Sequence, residues 1–204
     1  MEADEFLTIA SESQGLYREK GSKFLSFAYP VNSEEEVKEK VDFLRKKYFD
    51  ARHHCYAYRL GVYGERFRTI DDGEPANSAG KPILGQLTSC GVTNVLVVVV
   101  RYFGGILLGV GGLVQAYKQA AADALANAKI VTEAVTETHQ LTFGYQYMNQ
   151  VMKIVKDMNL EWRKQDDNMN GELNCTIYVK VKKSFVEQLL SKFSHIMVMP
   201  DVVS

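Results

Sequence analysis

The chain is poor in cysteine. Cys55, Cys90 and Cys175 are odd in number and far apart, which excludes a disulfide framework. Charge of one sign is also missing. Twenty-four Lys and Arg face 25 Asp and Glu, for a net charge of −1, so the whole molecule is no electrostatic magnet for nucleic acid. Division near residue 135 does not change that: 16 basic and 17 acidic residues precede it, and 8 of each follow. A nucleic-acid site would have to be a local patch. No apolar run is long enough to span a bilayer. The opening MEADEFLTIASES has neither a basic n-region nor an apolar h-region, so no signal peptide is expected and the expected location is cytoplasmic, away from membranes. Internal repeats and low-complexity segments are absent.

The apolar fraction is 46% and the charged fraction 24%, both ordinary for a globular protein. Its densest feature is VLVVVVRYFGGILLGVGGLVQAY, residues 95–117. Val95–Val100 is a run of β-formers expected to be buried on both faces. Arg101 follows, then Gly104, Gly105, Gly109, Gly111 and Gly112, then an Ala-rich helix expected over 113–128. A buried strand, a glycine turn and a helix start can present N–H groups to an anion. The glycines match neither the P-loop nor G-x-G-x-x-G. Anion binding, close packing and a protein-contact surface all remain open for them.

Strands are expected at 5–11 and 23–31, joined by a turn around Gly21. Ser33 and Glu36 make a capping box for a helix with Glu34–Glu36 in its first turn and Arg45–Lys47 in its last. Its buried stripe is Val37, Val41, Leu44 and Tyr48. Residues 53–64 are expected as a strand, 65–81 as a long polar loop, and 82–90 as a short helix with Pro82 near its first position. TEAVTETHQ, 132–140, has the composition of a domain boundary. The order strand, helix, strand, strand, helix, strand then follows, with strands at 138–143, 161–165, 173–182 and 196–199, a turn at 166–171, and helices at 145–158 and 185–193. That βαββαβ order suits a ferredoxin-like sandwich. The expected fold class is α+β, in two domains, 1–134 and 135–204.

His53, His54 and Cys55 invite a metal, but no second ligand pair has zinc spacing, so no metal and no cofactor is expected. Asp71, Asp72 and Glu74 suit either acid–base work or capping of neighbouring backbone. Lys81 adds a positive charge to the same polar set. No G-x-S-x-G elbow is present, and Cys90 is most simply a buried thiol. In the second domain Arg163, Lys164, Lys180 and Lys182, with Trp162 and Tyr178, form either an RNA-facing sheet or an ordinary exposed face.

Three segments, RHHCYAYRLG (52–61), DDGEPANSAGKPIL (71–84) and VVVRYFGGILLGVGGLVQAY (98–117), resemble the signature blocks of the IMPACT family, also known as the YigZ family. The resemblance covers about 15–130, and 136 onward resembles the second domain of the bacterial two-domain members. It implies a first domain like domain 2 of ribosomal protein S5 and a second like the C-terminal domain of elongation factor G. Eukaryotic relatives regulate translation by competing for the activator of a starvation-responsive kinase, a partner system that does not carry over to a bacterial-type chain. A proline-dipeptidase label borne by some members has no support in the residues, and the family supplies no established catalytic residues. The expected function is a translation-linked binding protein whose partner is RNA, the ribosome or a translation factor. The alternative is an enzyme of a phosphorylated or anionic substrate, with Arg101 and the glycines holding the anion and His54 with Asp72 or Glu74 moving a proton. His53, His54, Asp71, Asp72, Glu74, Lys81, Arg101 and Gly104 are the shared candidate surface.

Overall fold

The computed structural model describes residues 4–164, 174–194, 196 and 199–203. It is a mixed α+β protein that divides into two compact units, one over Glu5–Glu133 and one over Ala134 onward that includes Asp4.

The N-terminal unit is organised by β6 (Val95–Tyr102), the centre of an antiparallel sheet. The order is β2 (Ser13–Glu19), β3 (Ser22–Pro30), β6, β4 (His53–Leu60), β5 (Arg66–Ile70). The strand pleat sends alternate residues to opposite faces. Val95, Val97 and Val99 pack with α2 (Gly80–Ser89) and α3 (Gly109–Ala126). Leu96, Val98 and Val100 pack with α1 (Glu34–Lys47). Two cores on one strand require an uninterrupted apolar run. α1 starts where Ser33 Oγ accepts the Glu36 N–H at 3.2 Å. The Glu36 carboxylate reaches back to the Asn32 N–H at 2.9 Å, one residue before the cap. A separate ladder pairs β1 (Glu5–Ile9) with β7 (Ile130–Ala134).

Several boundaries differ from expectation. β2 falls within the segment expected as a connection. SQGLYRE has no apolar alternation, and its pairing with β3 makes it a strand. Lys20 and Gly21, at φ of +44° and +78°, turn the hairpin. The expected loop 65–81 contains β5, a polar edge strand held by β4. α2 begins two residues before Pro82, which sits in the first turn where its missing N–H costs nothing. α3 begins at Gly109, four residues earlier than expected, so glycine composition hid a full helical turn. The polar 132–140 stretch is strand on both sides of Val135.

The C-terminal unit contains β8 (Thr136–Gly144), α4 (Met148–Asp157), β9 (Glu161–Lys164), β10 (Asn174–Lys182), α5 (Val186–Phe193) and β11 (Met199–Val203). Short 3-10 turns precede both helices, at Tyr145–Tyr147 and Lys183–Phe185. The antiparallel sheet order is β11-β8-β10-β9, the βαββαβ order with the last strand beside the first. Leu141, Phe143, Ile177, Val179 and Val181 pack with Val151, Val155, Leu189 and Phe193 of the helices. The last strand lies three residues beyond the expected 196–199. The expected turn at 166–171 lies outside the described residues. Among the described residues no helix is long and apolar enough to cross a membrane.

Candidate functional site

The three sequence blocks meet at one end of the N-terminal sheet. β4 pairs with β6 so that His53 lies opposite Arg101. The segment leaving β5 then crosses beside them. It turns tightly through Asp72, Gly73 and Asn77, all at positive φ.

Each acidic residue there has a different internal partner. Asp71 caps α2 and its approach: Oδ1 accepts the Ala79 and Gly80 N–H groups at 3.0 and 2.8 Å, and Oδ2 accepts that of Asn77 at 2.8 Å. Asp72 Oδ2 accepts the His54 N–H at 2.7 Å, and Oδ1 accepts from Arg45 of α1 at 2.9 Å. Glu74 Oε1 lies 2.7 Å from Arg101 and accepts the Tyr117 hydroxyl at 2.7 Å. The Arg101 and Glu74 side chains are only 6% and 4% exposed. The Arg101 guanidinium also lies 5.4 Å from the Phe24 ring centre and 5.7 Å from that of Phe103. Its Nε has no hydrogen-bond partner among the described residues.

His53 Nδ1 is 2.9 Å from the Asp72 carbonyl oxygen. That oxygen can only accept, so Nδ1 carries the proton. His54, on the opposite face, is buried on the α1 side with its Nε2 unpartnered among the described residues. Burial lowers its pKa, against the opposing charge of Asp72. The Cys55 thiol lies 2.9 Å from the Asp71 carbonyl and 3.3 Å from the Tyr117 hydroxyl. Burial pushes both the thiol and the Tyr117 hydroxyl well above their usual ranges.

His53, Asp71, Asp72, Glu74 and Arg101 thus converge. The His54 ring does not join them, because the pleat sends it through the sheet. Lys81 is exposed on α2 and takes no part in the cluster's hydrogen bonds. The pairing of His54 with Asp72 for proton transfer is therefore not built: Asp72 holds the His54 backbone, not its ring. Arg101 is neutralised by Glu74 instead of presenting charge to an anion. No group of three His, Cys, Asp or Glu is placed to hold a metal among the described residues. The cluster ties α1, β4, the segment after β5, α2, β6 and α3 together, and its acids and thiol are occupied doing so. Tyr117 was not among the expected site residues. The signal was present, since a buried Tyr on an alanine face must find a partner for its hydroxyl.

The glycines divide by role. A Cβ on Gly104 would stand 1.9 Å from the Gly21 carbonyl carbon, so two backbones cross there. The Gly104 N–H donates to Ser22 Oγ at 3.2 Å. Gly105 and Gly109 have φ of +86° and +70°. Gly111 and Gly112 lie inside the first turn of α3, not in the loop as expected.

In the C-terminal unit, β10 points Tyr178, Lys180 and Lys182 away from the helices. Tyr178 lies opposite Arg163, and Lys180 opposite Glu161. The Arg163 guanidinium sits 5.0 Å from the Tyr178 ring centre. Trp162 lies opposite Val179, on the helix side, so it does not share a face with Tyr178 as expected. It nonetheless lines the groove of about 400 Å3 beside Arg163, Tyr178 and Lys180. A cleft of about 520 Å3 adjoins it and adds Lys182, Phe185 and Lys192. Lys164 pairs through its backbone with Ile177, and its side chain lies outside the described residues.

A two-unit α+β protein with this internally bonded cluster defines a class, and comparison with known proteins identifies it. Residues 20–125 match the Impact N-terminal domain. The chain belongs to the IMPACT family. It is 41% identical to the IMPACT family member YigZ of Escherichia coli over 130 residues, 63% of each chain, which is less than two thirds of that relative's length. It is 31% identical to an IMPACT family member of Haemophilus influenzae over 86% of both chains. A crystal structure of a hypothetical protein, 28% identical, superimposes with a TM-score of 0.78 over 100% of this chain and 99% of its own.

Proposed function

We propose that the chain is a cytoplasmic, translation-linked binding protein that contacts RNA through its C-terminal unit. Family membership supports the link to translation, since the eukaryotic relatives implied by the resemblance regulate translation. The observation that carries the RNA reading is the exposed placement of Arg163, Lys180 and Lys182 around Tyr178. Cations there can meet phosphates while an aromatic ring offers a base a stacking surface. The likeness of the two units to domain 2 of ribosomal protein S5 and to the C-terminal domain of elongation factor G belongs to the same proposal, as does their independent folding.

The test is fluorescence anisotropy of the full chain with labelled single-stranded RNA across a salt series. The log–log slope is expected near −0.7 per phosphate contact. Lys180→Ala with Lys182→Ala should weaken binding to all sequences alike and flatten that slope. Binding that ignores salt, or that the double variant leaves unchanged, removes the C-terminal face from the proposal. The unit's balanced charge, 8 basic and 8 acidic residues, sets the expectation of modest, sequence-tolerant affinity.

A further inference from the structure

The cleft of about 520 Å3 in the C-terminal unit lies at the end of the sheet where β8 and β9 begin and β10 ends. Its volume falls in the range of about 300–1,000 Å3 that small-molecule sites occupy. One wall is the turn from α4 into β9, and the other is the side of α5. The turn is well fixed. Asn159 adopts a φ of +50°. Its N–H donates to the Lys156 carbonyl at 3.0 Å, and the Leu160 N–H donates to that of Val155 at 3.0 Å. This pair of bonds is a Schellman helix end, and it brings Asp157 and Glu161 to the cleft on a defined backbone.

α5 carries two stripes. Val186, Leu189 and Phe193 pack against the core. Phe185, Gln188 and Lys192, spaced i, i+3 and i+7, form the other stripe and line the cleft. Core packing of α5 does not call for an aromatic ring on that second stripe, yet Phe185 stands there 46% exposed. Lys180 and Lys182 enter the cleft from β10, facing Asp157 and Glu161. Lys180 lies opposite Glu161 in the ladder, where opposite charges can pair. Among the described residues, however, none of these three lysines and two carboxylates is in an ion pair.

The unpaired charges restrict the ligand. Three cations against two carboxylates leave one positive charge in excess, so the ligand is an anion. The carboxylates repel a second anionic group and accept hydrogen bonds from hydroxyl or amino groups. The exposed ring offers a stacking face to a planar base. We propose that this cleft binds a nucleoside monophosphate, either free or as the phosphorylated end of an RNA strand. The lysines hold the phosphate, Phe185 stacks on the base, and Asp157 and Glu161 accept from sugar hydroxyls or base amino groups. The cleft shares Lys180 and Glu161 with the neighbouring groove, so a strand lying in that groove reaches it with a terminal nucleotide. The site goes beyond the RNA reading and does not depend on it.

The test is titration calorimetry of the full chain with AMP, adenosine, ribose phosphate and inorganic phosphate. Anisotropy with hexaadenylate phosphorylated at the 5′ end, at the 3′ end or at neither follows. AMP is expected to bind more tightly than the other three small molecules, since only AMP engages the lysines and the ring together. Lys192→Gln is expected to weaken AMP roughly tenfold, and Phe185→Leu, which keeps the apolar bulk, by a similar factor. Both residues line the cleft and not the groove, so RNA without a terminal phosphate should bind these variants as it binds the natural chain. Lys153→Gln, exposed on α4 outside the cleft, removes the same charge and should leave AMP unaffected. AMP binding without RNA binding makes the free nucleotide the source. A Lys192-dependent preference for one phosphorylated end, without AMP binding, makes it the strand. Either result supports the proposal. Inorganic phosphate or adenosine binding as tightly as AMP, or equal losses from Lys153→Gln and Lys192→Gln, would overturn it. So would RNA binding indifferent to end phosphates together with no AMP binding, a result that leaves the RNA reading standing alone.

Discussion

The N-terminal cluster and the C-terminal sheet face use charge in opposite ways. In the first, Glu74 and Arg101 are buried against each other, and the half-buried Asp71 and Asp72 are bonded to named groups of the same unit. In the second, Lys180, Lys182 and Arg163 stand in solvent on alternate strand positions. The difference teaches that a dense polar motif is not by itself a reactive site. A buried charge must be paired to be tolerated, and the pairing here joins β6, α2, α3 and the segment after β5. An exposed charge has no such obligation and remains available to a partner.

The sharpest way to break this contrast is to remove one partner of the buried pair. Glu74→Ala leaves the Arg101 cation buried and uncompensated. It is expected to destabilise the N-terminal unit by about 3–5 kcal/mol, read by urea denaturation. Lys180→Ala with Lys182→Ala should change stability by no more than about 0.5 kcal/mol. Comparable losses from both would end the distinction. A smaller effect is expected from Asp71→Ala, which takes the acceptor from three N–H groups around the start of α2. A cost of about 2 kcal/mol is expected in the same measurement, and a neutral result would mean that water replaces the carboxylate without penalty.

The smallest effect sharpens the contrast within the N-terminal sheet itself. Burial lowers the folded-state pKa of His54. Below about pH 6.5 the unfolded chain binds a proton at this position before the folded chain does. Stability contributed by neutral His54 is therefore present above that pH and is lost as the pH falls toward the folded-state value. His54→Gln is expected to flatten the stability curve over that window. An unchanged curve would show that the ring titrates alike in both states.

How much was legible in the sequence depended on the range of the interaction. The ends of α1 were readable because Ser33, Glu36 and the charges at each terminus act within one turn. The central strand was readable because both its faces are apolar. β2 and β5 were not, since SQGLYRE and RFRTI are polar and become strands only through the neighbours that pair with them. The start of α3 was misplaced because glycines that argue against a helix are tolerated where the backbone must stay bare or turn sharply. In the cluster, convergence of the three blocks was an expectation that the coordinates support. A contact of Arg101 with the acidic cluster was expected as well, but not which acid makes it: Arg101 bonds to Glu74, while Asp72 is taken by Arg45 and the His54 backbone.

The sequence alone determined a mixed α+β protein of the IMPACT family, with a doubly buried central strand and a βαββαβ second half. The family follows from the resemblance of three sequence blocks, and the elements follow from periodicity, caps and turn residues, which are local. Only the tertiary structure decided which acid meets which base, which of two adjacent histidines joins the cluster, and that the glycine loop presents apolar side chains outward. Those outcomes depend on strand register and pleat, and a shift of one residue in pairing would send every side chain to the other face.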